Sequence, residues 1–129
     1  MKKYVLKQER NTLLKWLDHS SKKIDMQKDT FLKDITIIGE CAFLDCITLK
    51  EVILPNKLTT IKHGAFLGCQ KLTKIHIPDS VTQWEFSAFL CCESLDFSTF
   101  PKRIIETKLN QAIDMPDFIE RLLYERINF

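Results

Sequence analysis

The segment AFLDCITLKEVILP, residues 42–55, returns as AFLGCQKLTKIHIP at 65–78 and as AFLCCESLDFSTFP at 88–101. Ala42-Phe43, Ala65-Phe66 and Ala88-Phe89 are spaced by 23 residues. The same step carries Cys46 to Cys69 and Cys92, Leu49 to Leu72 and Leu95, and Pro55 to Pro78 and Pro101. Between these lie two apolar ladders, one of Ile35, Leu58, Val81 and Ile104, the other of Ile38, Ile61 and Trp84. No insertion breaks the phase. A unit this short cannot enclose its own apolar side, so neighbouring coils must stack in register around one continuous core. At 129 residues and 45% hydrophobic content, residues 1–129 suit a single domain.

The phase assigns faces. In Lys74-Ile75-His76-Ile77-Pro78 the alternation is that of a strand, with Ile75 and Ile77 turned inward beside Val52 and Leu54 of the previous coil. Proline ends each strand because it cannot donate to a ladder. Glu51 then stands beside Lys74, a favourable pair of rungs. The outward rows are Glu51, Lys74 and Phe97, and Ile53, His76 and Thr99. Ile53 and Phe97 have no core duty on this phase, and apolar side chains exposed beside charges mark a protein-binding patch. Phe97 keeps a second place open: a bulge would turn it inside to compensate for Ser98, which holds the inward position of Val52 and Ile75.

The pattern fails towards both ends, where a stack needs atypical units to shield its last coils. Residues 1–34 are expected to form an N-terminal helical cap and a degenerate coil. The helix would span 3–18, with Leu6, Leu13, Leu14 and Leu17 on one side. The coil would span 24–34, with Met26 in the leucine phase and Phe31 in the inward strand phase. Residues 35–107 are the repeats. Residues 108–129 are expected to form a C-terminal helical cap, with Pro116 and Asp117 near a helix start and an apolar stripe of Ile119, Leu122, Leu123 and Ile127. The fold class is α/β: a short leucine-rich-repeat solenoid with stacked parallel strands, flanked by helical caps at both ends.

Over about residues 35–107 the pattern P-x-x-V/L-T-x-I-x-x-x-A-F-x-x-C-x-x-L resembles the BspA-like leucine-rich repeats of bacterial surface proteins and some protist proteins. Members of that family are typically exported and far longer. The family's usual glycine after the isoleucine survives here only as Gly39, with Lys62 and Glu85 at the equivalent places.

Catalytic and metal chemistry find no support in the residue pattern. The row of Cys46, Cys69 and Cys92 is linear and does not converge as zinc ligands must, so these thiols read as small core residues. Cys91, where other coils have Asp45 and Gly68, is expected to be exposed and reactive. His19, His63 and His76 fall into no nucleophile arrangement, and no glycine-rich phosphate loop exists. No catalytic residue, metal or cofactor is expected. The opening MKKYVLKQER has too short an apolar run for a secretory signal. With five cysteines, an odd number, that favours reduced thiols and a cytoplasmic location, the alternative being a secreted effector delivered without an N-terminal signal.

Formal net charge is +2, but residues 1–33 hold nine Lys/Arg against four Asp/Glu. The expected function is a non-enzymatic protein–protein interaction module with an unidentified protein partner. Self-association into a homo-oligomer is the first alternative. The second, less expected, is binding of nucleic acid or anionic membrane through Lys2, Lys3, Lys7, Arg10, Lys15, Lys22 and Lys23.

Overall fold

In the computed structural model, residues 2–97 and 100–110 are described. Seven short strands follow in chain order: β1 Tyr4–Leu6, β2 Thr12–Trp16, β3 Lys23–Asp25, β4 Ile37–Ile38, β5 Glu51–Ile53, β6 Thr60–Ile61 and β7 Lys74–His76. A helix, α1, spans Lys102–Asn110.

The sequence step becomes backbone register. β5 and β7 pair in parallel, Glu51 opposite Lys74 and Ile53 opposite His76. β4 and β6 do the same on another side of the coil, Ile37 opposite Thr60, and Thr60 bridges onward to Gln83. The strands form two sheets, ordered β1-β2-β4-β6 and β3-β5-β7. A third side carries the Ala-Phe turns, where coils bond without forming strands. Trp16 N donates to Ala42 O at 2.8 Å, Phe43 N to Ala65 O at 2.7 Å and Phe66 N to Ala88 O at 2.8 Å.

The enclosed core takes every expected ladder. Ile35, Leu58, Val81 and Ile104 are buried, as are Ile38, Ile61 and Trp84. So are Val52, Leu54, Ile75 and Ile77, and Phe100 continues the inward row of Leu54 and Ile77. The repeated phenylalanines stack face to face, and the pile extends at its N-terminal end through Trp16 and Tyr4.

The N-terminal helix over 3–18 is not formed; these residues make an antiparallel hairpin of β1 and β2. The polar run Lys7 to Asn11 turns the chain, with Arg10 in the left-handed region at φ 60°. Leu13, Trp16 and half-buried Leu6 face the core, while Leu14 and Leu17 are exposed. Tertiary pairing decides the outcome: β2 is the first rung of the ladder, Leu13 opposite Ile38, and a helix could not satisfy the open edge of β4.

Phe31 is also misplaced by the sequence phase. It lies 47% exposed. β3 pairs with β5 at an offset of 28 residues, Ile24 opposite Val52, rather than 23. The extra five residues fall between Met26 and Ile35, where the chain makes two short 3-10 turns, Met26–Lys28 and Leu32–Asp34. Met26 is buried, but in the phase of Leu54 rather than of Leu49.

At the other end α1 begins at Lys102, inside the span expected to be repeat. Pro55 O and Pro78 O accept turn bonds from Leu58 N and Val81 N, three residues on; Pro101 O accepts from Ile105 N, four residues on, which opens a helix. The helix expected from residues 108–129 lies outside the described residues beyond Asn110.

Candidate protein-binding face

The outer surface of β3-β5-β7 follows from strand alternation: Ile24, Val52 and Ile75 point into the core, so their neighbours point out. Two rows result, Lys23-Glu51-Lys74 and Asp25-Ile53-His76. Glu51 is the electrostatic centre. Its carboxylate meets His76 Nε2 at 2.6 Å and Lys23 Nζ at 3.7 Å. The His76 hydrogen bond holds the Glu51 carboxyl below its ordinary value. Ile53 is half-buried between Asp25 and His76; Lys74 and His76 are exposed.

The third rung departs from this arrangement. Phe97, whose place the sequence left open, is half-buried and packs on the core, its ring 5.1 Å from Phe100, 6.1 Å from Phe86 and 6.2 Å from Phe89. Thr99 lies outside the described residues. The structure therefore brings Glu51, Ile53, Lys74 and His76 together and directs Phe97 to the core edge.

Sequence reasoning missed Lys23 and Asp25, the first rung of this face, because the five-residue offset hides them. It also missed a hollow of about 210 Å³ beside His76, walled by Pro78 and Pro101 and bordered by Gln27 and Asn56. The Gln27 amide donates to Leu54 O at 3.1 Å and to Asn56 Oδ1 at 3.2 Å. With the 28-residue offset, Gln27 stands where later coils have Pro55, Pro78 and Pro101.

The cysteine row has a structural role. Cys69 Sγ donates to Phe43 O at 3.2 Å, and Cys92 Sγ to Phe66 O at 3.0 Å. Each thiol thus adds a second bond to a carbonyl of the coil before it, which already accepts from Cys46 N at 3.2 Å or Cys69 N at 3.1 Å. Burial pushes the Cys46 thiol up to about 11. The adjacent Cys92 thiol, with burial, holds Cys69 far above the thiol range. Cys91 is exposed, and no group of three or more metal-ligating side chains occurs among the described residues. Nor, among the described residues, is any helix long and apolar enough to cross a membrane.

The sequence model of the BspA type leucine rich repeat region matches residues 19–113. No curated protein matches the chain. Among solved structures, a leucine-rich repeat protein of T. pallidum is 29% identical with a TM-score of 0.58, the alignment covering 71% of this chain and 44% of that one. One from Bacteroides ovatus is 26% identical with a TM-score of 0.57, covering 78% of this chain and 28% of that one. A leucine-rich cell surface protein of Faecalibacterium prausnitzii is 25% identical with a TM-score of 0.50, covering 72% and 33%. The chain thus spans less than half the length of each of these structures.

Proposed function

The chain belongs to the BspA type leucine-rich repeat family, and from that premise we infer a non-enzymatic interaction module, a short solenoid that binds a protein through the outer face of β3-β5-β7. One observation carries this reading: equivalent positions inside the coils repeat, while equivalent positions on this face differ. Val52 and Ile75 are interchangeable core residues, whereas Ile53 gives way to His76 and Glu51 to Lys74. A scaffold that keeps its interior and varies its surface is how repeat proteins build recognition. Ile53 supplies an apolar anchor, the Lys23-Glu51-His76 cluster a polar rim, and the hollow beside His76 a socket for one side chain.

Three rungs at about 4.8 Å give a strand face smaller than the roughly 800 Å² per partner of a standard interface. Gln27, Asn56 and the proline walls extend it. The test is affinity capture with wild type and with the Ile53→Asp, His76→Glu double variant. A partner retained by the first and lost by the second, with unchanged circular dichroism, supports the reading. A partner held equally by both places recognition elsewhere.

A further inference from the structure

A cleft of about 610 Å³ lies between β1 and the loop bearing Asp29 and Phe31. Lys2, Lys3, Lys7 and Arg10 line it, against the single carboxylate of Asp29. That carboxylate is already engaged, accepting from the Tyr4 hydroxyl at 2.9 Å and from the backbone N–H of Phe31 and Leu32 at 2.9 and 3.0 Å. Among the described residues, none of the four cations has an ion-pair partner. Leu6 and Phe31 provide an apolar floor, and the Arg10 guanidinium sits 5.1 Å from the centre of the Phe31 ring.

The backbone adds a second feature. β1 is the outermost strand of its sheet. Lys3 O accepts from Leu17 N at 2.6 Å, and Lys7 N donates to Thr12 O at 2.9 Å, so Lys3 and Lys7 face β2. Bonding direction alternates along a strand, which turns the N–H and C=O of Tyr4 and Leu6 to the open edge. An edge of this kind is a template for another strand, and lysines beside it repel basic candidates while attracting acidic ones.

We propose that the β1 edge binds an acidic, extended segment of a partner protein, which adds as a strand beside Tyr4–Leu6, its carboxylates meeting the four cations and its apolar side chains resting on Leu6 and Phe31. A nucleic-acid backbone fits less well. The cleft contains a carboxylate and an apolar floor, and two of the cations that would prolong a phosphate track are employed elsewhere. Lys15 Nζ donates to Cys41 O at 3.4 Å, and Lys23 pairs with Glu51. This surface is distinct from the β3-β5-β7 face, so the two readings stand or fall separately.

The test is fluorescence anisotropy of the full chain with a labelled peptide of about eight residues alternating Glu with Val or Phe. Binding should weaken about fivefold or more between about 50 and about 300 mM salt. The peptide with Lys for Glu should not bind. N-methylation of alternate peptide nitrogens, which removes the strand donors, should weaken binding about tenfold. Lys3→Glu with Lys7→Glu should do the same, and Lys2→Glu, outside the hairpin, should give a smaller loss in the same direction. Ile53→Asp should leave binding unchanged. The proposal is overturned by indifference to N-methylation or to these lysines, or by tighter, more salt-dependent binding of a single-stranded oligonucleotide or of phosphatidylserine vesicles.

Discussion

The rings of Phe43 and Phe66 lie 4.8 Å apart, centre to centre, with only 5° between their planes. This is the ladder spacing expressed in side chains: equivalent residues on paired coils are held one strand separation apart, and identical rings at that distance lie parallel. Phe66 is fully buried, with Phe89 stacked on its far side at 5.6 Å. Phe66→Ala should therefore lower stability by about 3–5 kcal/mol, and Phe66→Leu by about 1–1.5 kcal/mol. Urea unfolding of the two variants checks this; a loss below about 1 kcal/mol for Ala would mean the pile repacks freely.

Gly39 is where the N-terminal hairpin leans on the first full coil. A Cβ there would come within 2.8 Å of Leu13 O, the same oxygen that accepts the Gly39 N–H at 2.9 Å. Lys62, one coil on, is exposed. Gly39→Ala should destabilise by about 1–3 kcal/mol, whereas Lys62→Ala should be close to neutral. Equal melting temperatures for the two variants would contradict this account of why the glycine persists at only one of the three equivalent places.

Asp45, Gly68 and Cys91 occupy one repeat position, and all three have positive φ, at 55°, 78° and 60°. Glycine suits that backbone best. Cys91→Gly should raise stability by about 0.5–1 kcal/mol. It should also abolish rapid labelling at the exposed thiol, while Cys46, Cys69 and Cys92 are buried and should label only on unfolding. Fast labelling at Cys69 in the folded protein would rule out this assignment.

Two groups give pH signatures of opposite sign. Burial, then the Asp29 hydrogen bond, pushes the Tyr4 hydroxyl up to about 12 from an ordinary 10. Its contribution to stability is complete below pH 10 and lost between 10 and 12, because the unfolded chain ionises first. Glu51 is displaced downward by the His76 hydrogen bond, so its contribution is complete above its ordinary 4.5 and lost as pH falls through its folded value. The stability gap between wild type and Tyr4→Phe should shrink from pH 8 towards pH 12, and that between wild type and Glu51→Gln should shrink on acidification. Gaps that stay constant with pH would refute both linkages.

The coils from Ile35 to Trp84 were legible because one physical rule, in-register stacking, fixes every position at once. The hairpin was not, and Leu14 explains why. Val5 pairs with Lys15 and Leu6 with Leu13, so Leu14 is an extra residue bulged out of β2. The bulge puts buried Leu13 and Trp16 three apart, a spacing that imitates a helix. Phe31 failed for a related reason, since five added residues shift the phase without altering composition. Of the candidate face, Glu51, Ile53, Lys74 and His76 were readable from alternation. Lys23, Asp25 and the hollow beside His76 depend on that same shift, and the inward turn of Phe97 depends on three aromatic neighbours brought together only by the fold.

The thiols of Cys69 and Cys92 each reach back 26 residues, and the threonine hydroxyls of Thr59 and Thr73 each reach back 23. Contacts of this kind tie a coil to its neighbour and to nothing farther. Under tension such a molecule should yield serially, and each rupture of a coil from its neighbour frees one 23-residue unit, roughly 80 Å of contour. The chain is in that sense a spring with graduated steps.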